Sequence, residues 1–302
     1  MAYPVSTSIH LTADPDYIVP YETQIKRITD GGFRFLDFNF LDLTNSNSSP
    51  FVGKDWLAFI EHVGEIAAEN SAVFNQAHAP VYNGIRYPGM TDEDVFMYQE
   101  RAIIGCARLG IPWMVYHAIY TEDPDWMRIN HRAFDRVIEL SKKHGVGVAF
   151  ENTWIKLQNV PLWQTEALIE LCDSYRDPIV GICWDTGHGN VYGGDPELLK
   201  YTNQYTEITK LGKRLKALHI DDNNGIDDDH VAPFEGKIDW SSVMRALRDI
   251  GYEHSFTYEA HNAVRRIPCH MPELVDEKMR YMHDLGERLV NWDGTDQAPS
   301  VE

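Results

Sequence analysis

Eight short apolar segments, each closed by a polar residue, recur along this chain of 302 residues and constrain its fold more than any other feature. The closing residues are His10, Asn39, His78, His117, Glu151, Asp185, His219 and Glu259. Segments 146–150 and 179–184 are almost entirely apolar, which is typical of strands covered on both faces. Because stretches with helical spacing separate the segments, the pattern predicts a single-domain α/β protein, a (β/α)8 TIM barrel with parallel strands.

Turn and cap residues mark the predicted helices between these strands. They are predicted over 21–30, 55–69, from Thr91 to Gly110, up to Gly145, after Pro161, after Pro196, from Asp239 to Gly251, and over 272–290. The barrel is expected to occupy residues 1–292, with a flexible tail at 293–302. A doubly wound open sheet is the rival fold, but no glycine-rich phosphate loop follows the first strand.

The charge balance restricts the classes of partner. Lys and Arg number 27 and Asp and Glu number 46, so the formal net charge is −19. This balance argues against nucleic acid and against anionic membranes, because both are bound through Lys and Arg. No secretory signal and no apolar run of about 20 residues is visible, so we expect a cytoplasmic protein. The four cysteines form no C-x-x-C pair and are expected to be buried free thiols.

Four of the strand-closing residues form one coherent set of ligands. Barrel enzymes place their chemistry at the carboxyl ends of the strands, where Glu151, Asp185, His219 and Glu259 are predicted to meet. Three carboxylates and one imidazole make a hard site made mostly of oxygen ligands, which suits a divalent metal. Mn²⁺ is the preferred expectation, with Mg²⁺, Co²⁺ and Zn²⁺ as alternatives.

A second set of polar residues surrounds the first. These residues either bind further metal ions or hold substrate, and they are His78, His117, His188, Asp228 and His230. Trp126 and Trp154 are candidates for stacking on a sugar face, or they only close the top of the barrel. Arg86 is either a surface arginine or a group that binds a phosphate or carboxylate of the substrate.

Two stretches carry a resemblance to a known family. Residues 183–190, CWDTGHGN, and residues 229–240, DHVAPFEGKIDW, are similar to segments of sugar phosphate isomerases/epimerases. In the second stretch Phe234 stands where a glycine is frequent. Over essentially its whole length, the chain resembles the xylose-isomerase-like TIM barrel superfamily, which also contains the AP endonucleases of family 2.

The resemblance implies a role for each main residue. In the epimerases of this superfamily, the residues matching Glu151, Asp185, His219 and Glu259 bind one metal ion, and the two glutamates are the acid/base pair. The implied activity is isomerisation or epimerisation of a small sugar or keto-sugar in carbohydrate metabolism. It would proceed by proton transfer through a metal-stabilised enediolate, with His188 holding a substrate oxygen.

Two departures from the ketose 3-epimerases indicate that the contacts with the substrate differ. Residues 151–158 contain no second glutamate after Glu151, and no arginine follows His219 closely, where residues 221–225 read DDNNG.

The endonuclease branch supplies the main alternative. It uses three zinc ions on nine ligands, and each has a match here, at His78, His117, Glu151, Asp185, His188, His219, Asp228, His230 and Glu259. That set favours a phosphoester hydrolase, whereas the loops expected at the rim, 82–88, 121–126 and 221–224, are mostly neutral or acidic and disfavour a DNA substrate. A lyase or dehydratase acting on a keto-sugar would use the same enediolate. The sequence leaves the sugar, its phosphorylation, the native metal and any homo-oligomer open.

Overall fold

Eight parallel strands form the centre of the computed structural model, which describes residues 3–9, 19–44, 49–80, 91–156, 160–268 and 270–292. The strands are β1 Val5–Ser8, β2 Phe35–Asn39, β3 Val73–His78, β4 Trp113–His117, β5 Gly147–Glu151, β6 Val180–Asp185, β7 Leu215–His219 and β8 Phe256–Tyr258. They pair in the order β7-β6-β5-β4-β3-β2-β1-β8.

A single bridge beyond β7 nearly closes this sheet into a barrel. The Ile220 N–H donates to the Thr257 carbonyl at 2.8 Å, and the Glu259 N–H donates to the Ile220 carbonyl at 3.1 Å. The predicted (β/α)8 barrel is therefore confirmed. His10, Arg86, Cys269 and the predicted tail lie outside the residues that the structure describes.

The helices lie between the strands as the sequence predicts. They are α1 Tyr21–Asp30, α2 Trp56–Glu69, α3 Asp92–Leu109, α4 Trp126–His144, α5 Thr165–Ser174, α6 Thr186–Asn190, α7 Gln204–Leu211, α8 Trp240–Asp249, α9 Asn262–Arg265 and α10 Pro272–Asn291. Short 3-10 turns, Pro161–Trp163 and Pro196–Tyr201, follow the two prolines, so α5 and α7 begin later than the prolines indicate. The short α6 was not predicted.

Side-chain caps and left-handed glycines set several helix ends. Thr91 accepts the Asp94 N–H, and the Asp94 carboxylate accepts the Thr91 N–H, which makes a capping box at the start of α3. Asp239 accepts the N–H groups of Ser241 and Ser242 at the start of α8. Gly110 (φ 71°) ends α3 in the left-handed region, which a residue with a side chain adopts only at a cost.

A small apolar layer inside the barrel positions the polar residues above it. Val115, Ala149, Cys183 and Ala217 are fully buried and form a cluster separate from the main core. Since side chains two residues apart on a strand point to the same face, the next inward positions on these four strands are His117, Glu151, Asp185 and His219. The strand register therefore brings these four side chains to one end of the barrel interior.

The cysteines and the lengths of the helices bear on two further expectations. Cys106, Cys172 and Cys183 are buried free thiols, as predicted. Within the described residues no helix is both long and apolar enough to cross a membrane.

Candidate active site

Four side chains predicted as metal ligands converge at the carboxyl end of the barrel. Glu151, Asp185 and His219 are the last residues of β5, β6 and β7, and Glu259 directly follows β8. One ligand atom from each of the four lies within 4.8 Å of the other three. Glu151 and Asp185 are fully buried, whereas 13% of the Glu259 side chain is exposed, so the group opens to solvent on the Glu259 side.

The imidazole of His219 lies among three carboxylates. Its Nδ1 is 2.5 Å from Glu151 Oε1, 3.0 Å from Glu259 Oε2 and 4.0 Å from Asp185 Oδ2. One ring N–H cannot satisfy two carboxylates fully, and among the described residues Asp185 Oδ2 accepts no hydrogen bond. Buried carboxylates this close together repel each other unless a cation lies between them, so this set of oxygen and nitrogen donors fits a divalent metal.

The neighbours of each carboxylate shift its pKa in different directions. Burial would raise the pKa of Glu151, but the positive charges of His219 and His117 outweigh it and hold the pKa well below its usual range. Burial raises the pKa of Asp185 well above its usual range, and the charge of Asp221 adds to this effect. The unfavourable charge is therefore concentrated at Asp185, where a bound cation would relieve it.

A second candidate metal group adjoins the first through Glu151. The Nε2 atoms of His78 and His117 are 3.0 Å apart, and His117 Nε2 is 2.8 Å from Glu151 Oε2. His78 Nδ1 lies 3.0 Å from the Ala79 carbonyl and is placed to donate to it, which leaves the lone pair of Nε2 facing the group. Burial and the charge of His117 lower the pKa of His78 to about 4, so this imidazole is neutral at pH 7, the form that binds metals.

A third candidate metal group lies on the other side of Asp185 and consists of His188, Asp228 and His230. Asp228 Oδ2 is 3.5 Å from His188 Nε2 and 3.2 Å from His230 Nε2. The Nδ1 atoms point away from the group, His188 to the Asn152 carbonyl at 2.9 Å and His230 to the Glu259 carbonyl at 3.0 Å. This orientation is the usual one for histidines that bind metal through the other nitrogen.

Asp185 also explains why the segment after β6 folds as it does. Its Oδ1 accepts the His188 N–H at 2.6 Å, which caps the short helix α6. Asn152 fixes the backbone of Asp185 from β5, donating to its carbonyl at 2.9 Å and accepting its N–H at 2.7 Å. One carboxylate thus both belongs to the first group and places His188 in the third.

The structure adds Asp221, which the sequence reasoning missed. Asp221 is fully buried, its Oδ2 is 2.9 Å from His230 Nδ1, and it lies within ligand distance of Asp185, His230 and Glu259. The sequence interpretation placed residues 221–224 at an acidic rim, and this was wrong for Asp221, Asp222 and Asn223, which are all buried. The period of two after His219 was the signal that could have placed Asp221 inside.

Asp222 holds together the loop that carries Asp228 and His230. Its carboxylate accepts the backbone N–H groups of Asn223, Phe234 and Ile238 at 2.8–3.1 Å and the indole N–H of Trp240 at 2.9 Å. Phe234 has a φ of 69°, in the left-handed region that favours glycine, so the departure noted in the sequence falls on a strained position. The loop geometry therefore explains why a glycine is frequent at this position, and Phe234 occupies it at a cost in backbone strain.

The two tryptophans predicted to bind substrate are not members of the three metal groups. Trp126 begins α4 and packs against the main core, while Trp154 is 43% exposed at the carboxyl end of the barrel. Arg86 lies outside the described residues. Their substrate roles remain predictions.

Comparison with known proteins agrees with this architecture. A family model described as "Xylose isomerase-like TIM barrel" matches residues 25–285. The inosose isomerase of Bacillus subtilis is 26% identical over 164 residues, which cover 51% of this chain and 55% of that protein. The chain spans about half the length of the curated relatives that it matches over the longest stretches.

Solved structures show the same fold over nearly the whole chain. The IOLI protein, whose structure holds a zinc atom, has a TM-score of 0.69 at 15% identity and covers 96% of this chain and 98% of its own. A D-allulose 3-epimerase from Methylomonas sp., in complex with D-allulose, has a TM-score of 0.66 at 12% identity, with 94% and 96% covered. The strand-end residues, the barrel and the family match lead to one conclusion: the chain belongs to the xylose isomerase-like TIM barrel family.

Proposed function

We propose that this protein is a divalent-metal-dependent isomerase or epimerase of a small sugar or keto-sugar. One observation carries the proposal: the carboxylates of Glu151 and Glu259, from two strands separated in the barrel, both lie within 3.0 Å of the same nitrogen of His219. In this proposal the two carboxylates would act on one substrate carbon from either side. The inosose isomerase relative and the D-allulose 3-epimerase with the same fold support a sugar substrate.

Four residues would hold the metal in this proposal, namely Glu151, Asp185, His219 and Glu259. A bound divalent cation would make the hydrogen beside a substrate carbonyl more acidic by withdrawing electron density from the carbonyl oxygen. Mn²⁺ remains our preferred metal, and the zinc atom in the IOLI structure supports Zn²⁺ as the alternative.

The two glutamates would divide the proton transfer between them. Despite burial, the positive charges around Glu151 keep its pKa well below the usual range, so it is ionised at neutral pH and can accept a proton. Burial would raise the pKa of Glu259 too, but the positive charge of His219 outweighs it and holds the pKa well below the usual range, so Glu259 is also ionised in the free protein. Glu259 is 13% exposed on the open side of the group, where it would take up a proton from solvent before returning one to the substrate. His188, in the adjoining third group, would hold a substrate oxygen.

Exchange of substrate hydrogen with solvent tests this proposal. The metal-loaded protein is incubated in D₂O with inosose and with a panel of ketoses, and deuterium at the carbon beside the carbonyl is followed by NMR. We expect exchange with at least one sugar, reduced by about 10²–10⁴-fold in Glu151→Gln and in Glu259→Gln. Glu253→Gln changes an exposed glutamate near β8 and serves as the control. Equal exchange in all four proteins would refute the assigned roles.

The three adjoining metal groups favour a second candidate function. All nine residues that match the zinc ligands of the endonuclease branch fall in these groups, within ligand distance of other members. Such a site would suit phosphoester hydrolysis. Three zinc ions per chain, with release of phosphate or nitrophenol from phosphoesters and no deuterium exchange, would favour the hydrolase. A lyase or dehydratase would show exchange followed by loss of water.

A further inference from the structure

A lysine without a partner lies beside the candidate active site. Lys156 is in the loop after β5, five residues beyond Glu151, and its Nζ atom is buried with no hydrogen bond to any described residue. The carboxylate of Glu207 acts on it electrostatically, but Glu207 is already bound by Lys210 at 2.9 Å and by the Thr165 hydroxyl at 2.5 Å. Keeping a buried ammonium without its own counter-ion is costly, and such a group is usually paired.

Two cavities meet at this lysine. On one side is a small enclosed space that Lys156 shares with His188 of the third metal group. On the other side is an open cavity of about 310 Å³, whose walls are mostly apolar and include Trp154, Val191, Tyr192, Leu198 and Ile226. Trp154 and Ile226 are 43% and 50% exposed, so the apolar walls reach the protein surface.

The charges around the open cavity single out Lys156. It is the one cation among the described residues that line this cavity, and the one carboxylate there, Asp195, is exposed and caps the Glu197 N–H at 3.0 Å. A ligand in this cavity therefore meets apolar walls and a single positive charge at the end nearest His188.

We propose that Lys156 recognises an anionic group, a carboxylate or a phosphate ester, on the substrate of the candidate active site. The proposal rests on the isomerase or epimerase function and narrows its substrate to an acidic sugar derivative. The reacting end of this substrate would lie at the metal groups and the remote end in the open cavity. There the lysine would gain the counter-ion that it lacks in the free protein.

Burial lowers the pKa of Lys156 to about 8, so most of the side chain is charged at pH 7. Its Nζ is covered in the free protein, so binding of an anion in the open cavity would require the lysine side chain to turn toward that cavity. An anion that binds Lys156 does not have to displace another carboxylate, so no existing ion pair is broken when it binds. Lys210, which is held by two glutamates, does not offer this possibility.

Binding of matched sugars tests the proposal. The probes are D-fructose, D-fructose 6-phosphate and D-fructuronate, titrated at pH 7 by calorimetry into the metal-loaded wild type, Lys156→Met and Lys200→Met. Lys200 is an exposed cation that lies over the ring of Tyr201, so its variant is a control for the loss of one positive charge nearby. We expect at least one anionic ketose to bind wild type and Lys200→Met about 10-fold or more tighter than D-fructose, and this preference to vanish in Lys156→Met. Preference for the phosphate or for the carboxylate identifies the source of the anion.

A pH titration on the wild type makes the test independent of any variant. Because the pKa of Lys156 is about 8, its charged fraction falls about 10-fold between pH 7 and pH 9, and the preference for the anionic ketose over D-fructose should fall by about the same factor. An anionic preference that survives in Lys156→Met, no preference in wild type, or a wild-type preference that is the same at pH 7 and pH 9 would overturn the proposal. These experiments measure binding, whereas the deuterium experiment measures catalysis. If Lys156-dependent binding were observed but no deuterium exchange, only the proposed isomerase or epimerase function would be refuted.

Discussion

Replacing Asp222 with asparagine should loosen the loop that carries two members of the third metal group. The carboxylate of Asp222 accepts four hydrogen bonds, two at Oδ1 from the N–H groups of Asn223 and Ile238, and two at Oδ2 from the Phe234 N–H and the Trp240 indole. An asparagine keeps one oxygen, so it can retain only two of the four. Its amide N–H₂ must then face two donors in a buried position.

The expected loss of stability follows from these four contacts. Hydrogen bonds to a charged group contribute about 1.5–3 kcal/mol each, and two are lost. Burial raises the pKa of Asp222, so the wild-type carboxylate has a cost of desolvation that the neutral amide avoids. For this reason we use the lower value of about 1.5 kcal/mol for each lost hydrogen bond. We therefore expect Asp222→Asn to lower the free energy of unfolding by about 3 kcal/mol, which corresponds to a fall in Tm of about 5 °C for a chain of this length.

The assay is thermal unfolding of the chelator-treated wild type, Asp222→Asn and Asp227→Asn. Asp227 is an exposed carboxylate of the same loop, so its variant should unfold within about 1 °C of wild type. A second measurement compares zinc affinity, which should fall in Asp222→Asn because His230 and Asp228 lose their fixed positions. If Asp222→Asn unfolded at the temperature of the Asp227 control, the structural role given to this carboxylate would be refuted.

Three further predictions concern the metal, a glycine and the buried lysine. Removing metal with a chelator should lower Tm by at least about 5 °C, because a tightly bound ion contributes about 4 kcal/mol at a thousand-fold excess over Kd; an unchanged Tm on re-addition of Mn²⁺ or Zn²⁺ would contradict this. Gly187→Ala should cost about 1–3 kcal/mol by denaturant unfolding, because the new methyl would overlap Asp221 Oδ1. Gly53→Ala, whose methyl would lie 3.4 Å from the nearest atom, is the control. Lys156→Met should be more stable than wild type by about 3 kcal/mol at pH 7, because the pKa of Lys156 is about 8 when folded and about 10.5 when unfolded. Below pH 8 the full difference in the free energy of unfolding between variant and wild type is present. Between pH 8 and pH 10.5 the wild type gains stability relative to the variant, because its folded state no longer holds a buried charge. If urea unfolding showed a constant difference over this pH range, the assignment would be disproved.

Sequence patterns predicted the barrel well because its strands have a strong and simple signature. Strands buried on both faces are mostly apolar, and in β5 and β6 the final residue is the only charged one. This pattern places Glu151 and Asp185 at the last positions of their strands, and His219 closes β7 in the same way. The helix caps at Thr91 and Asp239 were equally local and were confirmed.

The parts that the sequence did not predict depend on contacts between distant residues. The helix α6 has two glycines in five residues, and it forms because the Asp185 carboxylate caps it, which its own propensities do not indicate. The residues from Asp221 to Asn223 look like an exposed acidic loop, and their burial follows from their bonds to Thr186, Trp240 and Gly187. Lys156 similarly has no sequence signal, because nothing local shows that its Nζ is buried without a partner.

Counting metal ions per chain tests the central claim most directly. Wild type and His219→Ala are purified, loaded with Mn²⁺ or Zn²⁺, dialysed, and measured by elemental analysis. Arg176→Ala, at an exposed residue two positions beyond α5, is the control. We predict at least one ion per chain in wild type and in the control, with the ion between Glu151, Asp185, His219 and Glu259 lost in His219→Ala. Wild type that retains no divalent ion, or His219→Ala that retains as many as wild type, would contradict the assignment of this group as a metal site.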